Sequence, residues 1–219
     1  MTVSKHRVHQ AYQRIISAIF EGTLKSGDLL QEAVLGDAFG MSRTPVREAI
    51  KRLESEGLVA AEGRFMRVRS MTVNDVDETF FLRRELEPFA ARSAIRLPTA
   101  QLDAMEERVR QLMVSDPEKN DLQRQTDYDF HRMLVREMGN PVVAATISAL
   151  HRRTCVFDHT QVPKRLLLGC KEHLEIIAAA RSGSADAVET ALRDHLDRAR
   201  DAVLERLGKT QAHSHTTAG

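Results

Sequence analysis

One aspartate and three histidines in the second half of the chain have the side-chain types and the spacing of a metal site. Asp127 and His131 stand four residues apart in the stretch DYDFH, so they share one face of a predicted helix with Leu134. His173 and His195 each lie in line with the apolar residues of a further predicted helix. Imidazole nitrogens and a carboxylate oxygen suit Zn²⁺, Ni²⁺ or Mn²⁺, and one shared ion would satisfy all four groups.

Each of these residues also has an alternative interpretation as a structural residue. A single inward-facing histidine is usually a core residue with a hydrogen-bond partner, and Asp-x-x-x-His alone is a weak motif. Four such residues on three apolar faces favour the metal site. An octahedral ion held by them would keep open positions for water or for a bidentate carboxylate. His151, Arg152 and Arg153 lie on another predicted helix, and the pattern assigns no role to any of them.

The stretch SRTPVREAI combines a helix start, an apolar face and a row of cationic side chains. Thr44 is predicted to cap the helix, with Pro45 at the first helical position, where a missing N–H costs nothing. Arginine binds guanine O6 and N7 through two N–H groups, and a hydroxyl group reaches a base or a phosphate. The sequence therefore predicts a DNA-recognition helix, the alternative being a solvated charged face. The predicted DNA contacts are Ser42, Arg43, Thr44, Arg47 and Lys51 in this stretch and Gly63, Arg64 and Arg67 beyond it.

The elements around this stretch follow the plan of a winged helix-turn-helix, three helices and then a β-hairpin. Gly36 is the small residue that two closely crossing helices need, and Gly40 is the turn residue between them. We therefore expect a DNA-binding domain over residues 1–70. Its predicted helices and strands, in chain order, cover about 6–21, 32–39, 44–56, 58–61 and 65–69.

The rest of the chain has helical periodicity and no strand pattern, with proline and glycine between the helical stretches. This predicts a second domain over residues 71–208, an all-α six-helix bundle that holds the metal site, and a disordered tail over 209–219. The chain is thus expected to be mainly α. The predicted helices of the bundle are about 73–95, 99–114, 121–138, 141–158, 163–182 and 184–207.

Charge is distributed unevenly along the chain. Residues 1–70 carry 11 Lys and Arg against 8 Asp and Glu, a net charge of +3, while the remainder carries 21 against 23, a net charge of −2. A basic first third suits contact with nucleic acid at one end only, although chance could produce a difference of this size. Cys155 and Cys170 form no CxxC pair, and no apolar run approaches the ~20 residues of a membrane span. These features predict a reduced, cytoplasmic protein without a signal peptide.

The stretch LGDAFGMSRTPVREAIKRLESEGLV closely resembles the GntR family of bacterial winged-helix regulators, and the resemblance covers residues 8–69. It implies a homodimer on a palindromic operator. It also implies that Arg43, Thr44, Arg47 and Gly63 match the DNA-contacting positions of the family. Some members carry an arginine in the second helix where Ala33 stands here, so that contact is not expected in this chain.

The stretches DYDFHRML and EHLEIIAAARSGSADAVETALRDHL resemble the FCD effector domain of the FadR-type GntR regulators, in the shorter VanR-like branch. The resemblance covers residues 75–205 and implies that the metal ligands of the family match the four residues named above. It further implies a small organic acid as effector. In FLRRELEPFAA, Arg83 matches a residue often found in the effector pocket, where a guanidinium group could clamp a carboxylate. The alternative is that Arg83 pairs with Glu87 on the surface.

Together these features predict a homodimeric transcriptional repressor that responds to a metal ion and a small carboxylate, and not an enzyme. Two alternatives stay open. A metalloenzyme could use the open positions of the ion to activate water, although the chain has no HExxH motif. A constitutive DNA-binding protein could use the metal for structure alone.

Overall fold

The computed structural model describes residues 2–20, 23–69, 72–115, 120–161 and 163–216. The chain divides into two compact units between residues 71 and 72. The predicted domain boundary, between residues 70 and 71, lies outside the described residues.

The first unit is a winged helix-turn-helix, which confirms the predicted fold class for this part of the chain. Its two strands pair antiparallel around a two-residue connection, where Gly63 has φ +61°, a conformation that side chains other than glycine rarely adopt. The apolar face of the first helix and that of the third are both buried. The elements are α1 (Thr2–Phe20), α2 (Glu32–Phe39), α3 (Arg43–Ser55), β1 (Val59–Glu62) and β2 (Phe65–Val68).

The turn between α2 and α3 depends on two glycines. Gly40 ends α2 with φ +63°, in the left-handed region. A Cβ atom added at Gly36 would lie 2.9 Å from the carbonyl oxygen of Met41, and the backbone N–H of Met41 donates to the carbonyl of Gly36. Any larger residue at position 36 would therefore push the turn away from α2.

The prediction that Thr44 caps α3 was wrong. Ser42 is the N-cap residue, with extended backbone angles, and Arg43 is already helical. Thr44 and Pro45 therefore occupy the second and third helical positions. Proline is tolerated there because the N–H groups of the first helical turn have no intrahelical partner. The earlier start moves Arg43 into the helix, at its N-terminal end.

The second unit is an all-α bundle, as predicted. In its core α4 packs against α9 and α7, α8 against α9 and α5, and α6 against α7. A reciprocal pair of hydrogen bonds between Thr72 and Asp75 starts the first helix of the bundle. The elements are α4 (Val73–Ala91), a 3₁₀ helix (Arg92–Arg96), α5 (Thr99–Val114), α6 (Asn120–Arg136), α7 (Pro141–Gln161), α8 (Pro163–Arg181) and α9 (Ala185–Thr216).

Two boundaries in the bundle differ from those expected. The helix predicted over 73–95 changes from α to 3₁₀ after Ala91, three residues beyond Pro88, whose ring nitrogen carries no hydrogen to donate. At the other end, α9 continues through 209–216, which were predicted to be a disordered tail, while 217–219 lie outside the described residues. Gly208 does not stop the helix, because one glycine weakens a helix by only about 1 kcal/mol.

Among the described residues, no helix has both the length and the apolar content to cross a membrane.

Candidate metal centre and DNA-recognition surface

Polar side chains from four helices meet inside the bundle. Asp127 and His131 come from α6, His151 from α7, His173 from α8 and His195 from α9. One nitrogen from each of His131, His173 and His195 lies within 4.8 Å of the other two, and the same holds for the ligand atoms of Asp127, His131 and His151. The four residues predicted from spacing thus lie in one cluster, together with a fourth imidazole that the sequence did not assign.

Asp127 connects the two groups through its two carboxylate oxygens. Its Oδ1 lies 3.5 Å from His173 Nε2 and 3.9 Å from His131 Nε2, while its Oδ2 lies 2.8 Å from His151 Nε2. Two donors bound to one ion at about 2.1 Å are separated by roughly 3–3.5 Å, so Oδ1 is close to the distance that a shared ion requires. An ionised carboxylate only accepts hydrogen bonds, so His151 donates its Nε2–H to Oδ2.

Two buried glutamates fix the orientation of two of the imidazoles. His131 Nδ1 lies 2.8 Å from Glu87 Oε2, and His195 Nδ1 lies 2.7 Å from Glu172 Oε2. Because a carboxylate accepts, each Nδ1 carries the hydrogen, and each neutral ring therefore has its lone pair on Nε2. A carboxylate behind a histidine in this way is the usual outer support of a metal-ligating imidazole.

Among the residues that the structure describes, no carboxylate supports His173 in this way. Its ring stacks on Phe130 with the ring centres 3.9 Å apart, and its Nε2 is buried without any hydrogen-bond partner. A buried nitrogen that lacks a partner is costly, and a cation that accepts its lone pair would remove the cost. The orphaned Nε2 and the donor set of imidazoles and carboxylate therefore both fit a divalent metal ion.

Burial lowers the pKa of His131, His151, His195 and, most strongly, His173, because the charged form would lose its hydration. All four rings are consequently neutral at pH 7, which is the protonation state that binds a metal ion.

The supporting glutamates stay ionised despite their burial. For Glu172 burial alone would raise the pKa, but hydrogen bonds from His195 and Arg165 bring it down to about 2. Burial would also raise the pKa of Glu87, but the nearby Arg83 and His131 hold it well below its ordinary value. Both carboxylates therefore accept hydrogen bonds from the rings at neutral pH.

Arg83, the predicted effector contact, is only 3% exposed and its donors are engaged inside the bundle. Its Nε donates to Glu87 Oε1 at 2.5 Å and its Nη1 to Thr154 Oγ1 at 2.6 Å. The alternative considered from the sequence was an Arg83–Glu87 pair on the surface, but the pair is buried. Arg83 thus supports Glu87, which in turn orients His131.

On the first unit, the predicted DNA contacts form a largely exposed surface. Arg47 is exposed and makes a two-fold contact with Glu32 of α2, from Nε to Oε1 at 2.8 Å and from Nη2 to Oε2 at 2.7 Å. Arg67 differs from the others: it is half-buried, and its Nη1 donates to the carbonyl of Gly27, so part of its guanidinium group is used within the unit. The exposed members of the surface are Ser42, Arg43, Thr44, Arg47, Lys51, Gly63 and Arg64.

Comparison with known families agrees with both units. The FCD domain matches residues 78–198, and the bacterial regulatory proteins of the gntR family match residues 7–65. The chain belongs to the GntR family of bacterial transcriptional regulators. It is therefore a DNA-binding regulator and not an enzyme, as predicted.

Individual GntR relatives extend over most of the chain. The transcriptional repressor RspR of Escherichia coli is 29% identical over 204 residues, which cover 90% of this chain and 88% of RspR. A regulator encoded in an unstable DNA locus of Streptomyces ambofaciens is 32% identical over 216 residues, which cover 93% and 86%. Among solved structures, E. coli McbR/YncC superposes with a TM-score of 0.74 at 24% identity, over 91% of this chain and 97% of that one, and shares the fold.

At the level of sequence, no role in the metal cluster was assigned to Glu87, Glu172, His151 or Arg165. His151 lies one helical turn beyond the buried Ile147 and one turn before the buried Thr154, so the apolar face of α7 did carry a signal for it. Arg165 is 7% exposed, and its Nη2 donates to Glu172 Oε2 at 2.5 Å. No periodicity singles it out, because it stands among charged and apolar residues at the start of α8.

Proposed function

We propose that this GntR-family regulator is a cytoplasmic repressor that binds a palindromic operator as a homodimer. Its FCD domain holds a divalent cation, Zn²⁺, Ni²⁺ or Mn²⁺, and responds to a small organic acid. Binding of the acid changes operator affinity to the extent that the two DNA-binding states of the protein differ in their affinity for the acid. The observation that carries the metal part is the convergence of three buried imidazoles within 4.8 Å.

The residues that would hold the ion are Asp127, His131, His173 and His195. The charges around them support a cation. The carboxylates of Glu87 and Glu172 are buried and that of Asp127 is partly buried, and together they outnumber the two buried guanidinium groups of the described cluster, those of Arg83 and Arg165. One net negative charge in a low-dielectric interior favours the entry of a cation. The ion would bring positive charge and open coordination positions for a carboxylate.

On the DNA side, Arg43, Thr44 and Arg47 are proposed to reach base edges, and Ser42 and Lys51 to contact phosphates. Gly63 and Arg64 at the tip of the wing would approach a neighbouring groove, and Arg67, held partly by Gly27, would contribute a phosphate contact. In a homodimer two copies of α3 would enter the major groove about one helical turn of DNA apart. The relative RspR is named a repressor, which supports the same direction of control here.

Purified full-length protein tests the proposal directly. Elemental analysis should find about one divalent ion per chain, native mass spectrometry should find a dimer, and a gel shift should find binding to the promoter region of its own gene. Adding small carboxylic acids, or removing the metal with a chelator, should weaken that binding. A protein that contains no metal, or whose DNA affinity is insensitive to every acid, would instead be a constitutive DNA-binding protein.

His151 provides a test within the cluster. His151→Leu removes the donor to Asp127 Oδ2, a contact that helps to orient Asp127, and metal affinity should fall roughly 10- to 100-fold. His151→Gln retains an N–H donor and should recover part of that affinity. Competition with a metal-binding dye measures both. Equal affinity in wild type and His151→Leu would show that Asp127 needs no support from α7.

A further inference from the structure

Arg165 is a buried cation with unused hydrogen-bond donors. Its side chain is only 7% exposed, and within the described part of the chain its Nε and Nη1 have no hydrogen-bond partner. Only Nη2 is engaged, with Glu172 Oε2 at 2.5 Å and the backbone carbonyl of His195 at 3.3 Å. A guanidinium group that keeps most of its N–H groups unpaired in the interior is strongly disfavoured unless a further acceptor binds to them.

Glu172 is shared between Arg165 and a second guanidinium group. The same carboxylate also accepts from Arg198, whose Nε lies 2.8 Å from Oε1, so one anion faces two guanidinium groups. Its remaining contact, with His195, involves a ring that burial keeps neutral. Arg165 also lies in the first turn of α8, where the N-terminal end of a helix carries partial positive charge. The unused donors of Arg165 and the positive end of α8 therefore both suit an anion.

Arg165 adjoins the metal cluster, while Arg83 is already engaged. The Nη2 atom of Arg165 lies 3.5 Å from His195 Nδ1, so its guanidinium group borders one of the proposed ligands. Arg83, in contrast, donates to Glu87 and to Thr154. Of these two buried arginines, Arg165 has the donors that an incoming ligand could use.

We propose that Arg165 forms an anion-binding subsite of the FCD domain and takes a carboxylate group of a small organic acid on its unused Nη1 donors. This assignment rests on the proposed function, because it names the residue that recognises the acid. Guanidinium binds carboxylate and phosphate alike, and a planar carboxylate is the smaller of the two and suits a nearly closed interior.

The test measures binding of sodium acetate, lactate and succinate to the metal-loaded full chain, by calorimetry and by the shift in melting temperature. Sodium chloride at the same ionic strength is the background, and sodium phosphate is the arm that separates carboxylate from phosphate recognition. Arg165→Gln removes the charge and the Nη1 and Nε donors. Arg198→Gln is the matched control, because it removes another partner of Glu172 and leaves the donors of Arg165 in place.

Wild type and Arg198→Gln should bind at least one carboxylate, and Arg165→Gln, measured at a metal concentration that saturates it, should bind the carboxylate at least 10-fold more weakly. If Arg165→Gln does not fold, Arg165→Lys keeps the charge but has no planar Nη1 group at that position, and it should also lose affinity. The Nε–H resonance of Arg165 in the wild-type protein, which should shift during the titration, provides a readout that needs no folded variant.

Equal carboxylate binding in wild type and Arg165→Gln would overturn the subsite and leave the proposed function intact. Binding of phosphate alone, or of no anion with no shift of the Nε–H resonance, would also overturn it. Conversely, the absence of metal together with an acid-insensitive gel shift would overturn the proposed function. If carboxylate binding still depended on Arg165 in that case, the subsite would be supported even though the proposed function had failed.

Discussion

His173→Phe should lower metal affinity by at least about 100-fold and leave the metal-free protein as stable as wild type. The ring of His173 already stacks on Phe130, so a phenyl ring can occupy nearly the same space. The substitution removes a buried nitrogen that has no hydrogen-bond partner, and this removal offsets the strain of a slightly larger ring. Loss of an outer support costs roughly 10- to 100-fold in metal affinity, so loss of a ligand should cost more.

The same substitution at His195 is the matched control. His195→Phe also removes a proposed ligand, but it takes away the N–H that Glu172 accepts, and it should destabilise the metal-free protein by about 1–3 kcal/mol. Both variants should lose the rise in melting temperature that metal gives the wild type. Urea unfolding of chelator-treated protein, followed by metal titration, separates the two effects.

A purely structural His173 predicts the opposite pattern. In that case His173→Phe would change the stability of the metal-free and metal-treated proteins by the same amount, and neither the variant nor the wild type would respond to added metal. The proposed metal site would then be lost, while the DNA-binding assignment would be unaffected.

The sequence predicted the residue types of the metal cluster and the helix faces on which they lie, but not their hydrogen-bond partners. Helical spacing alone put Asp127, His131, His173 and His195 on apolar faces, because the period of an α-helix is a local property. Glu87 and Glu172 support two of those rings from separate helices, α4 and α8, and such contacts depend on packing that no periodicity encodes. Surface and buried ion pairs look alike in sequence, which is why the Arg83–Glu87 pair was weighed as exposed.

In the DNA-binding unit, more of the structure could be predicted from local sequence than in the bundle. Gly36, Gly40 and Gly63 occupy positions where close approach or positive φ requires glycine, so turn and wing followed from sequence. The cap of α3 did not, because Ser42 and Thr44 are both competent capping residues and only the backbone distinguishes them. The partner of Arg47 was likewise missed, since Glu32 is on another helix, 15 residues away in the chain.

The second large expected effect concerns Arg47, whose partner in the free protein is Glu32. Arg47→Ala should weaken operator binding roughly 10- to 100-fold and relax the preference for one base pair in each half-site. Glu32 uses the Nε and Nη2 side of the guanidinium group. The end formed by Nη1 and the second hydrogen of Nη2 remains free for guanine O6 and N7, so Arg47 can bind Glu32 and a base at once. Arg47→Lys should not restore the preference, because an ammonium group has no such fork.

Two controls separate base recognition from charge in this prediction. Lys51→Ala should weaken binding about equally on all sequences and lower the salt dependence by about one counterion, as expected for a phosphate contact. Glu32→Gln should strengthen binding to unrelated DNA, because it removes a negative charge beside the groove, and should reduce discrimination, because Arg47 loses its second anchor. Gel shifts on the operator and on single-base variants, at two or more salt concentrations, measure all three. If Arg47→Ala keeps the base preference, Arg43 and Thr44 must recognise the bases instead. If Glu32→Gln keeps it, the Arg47–Glu32 pair has no role in the DNA complex.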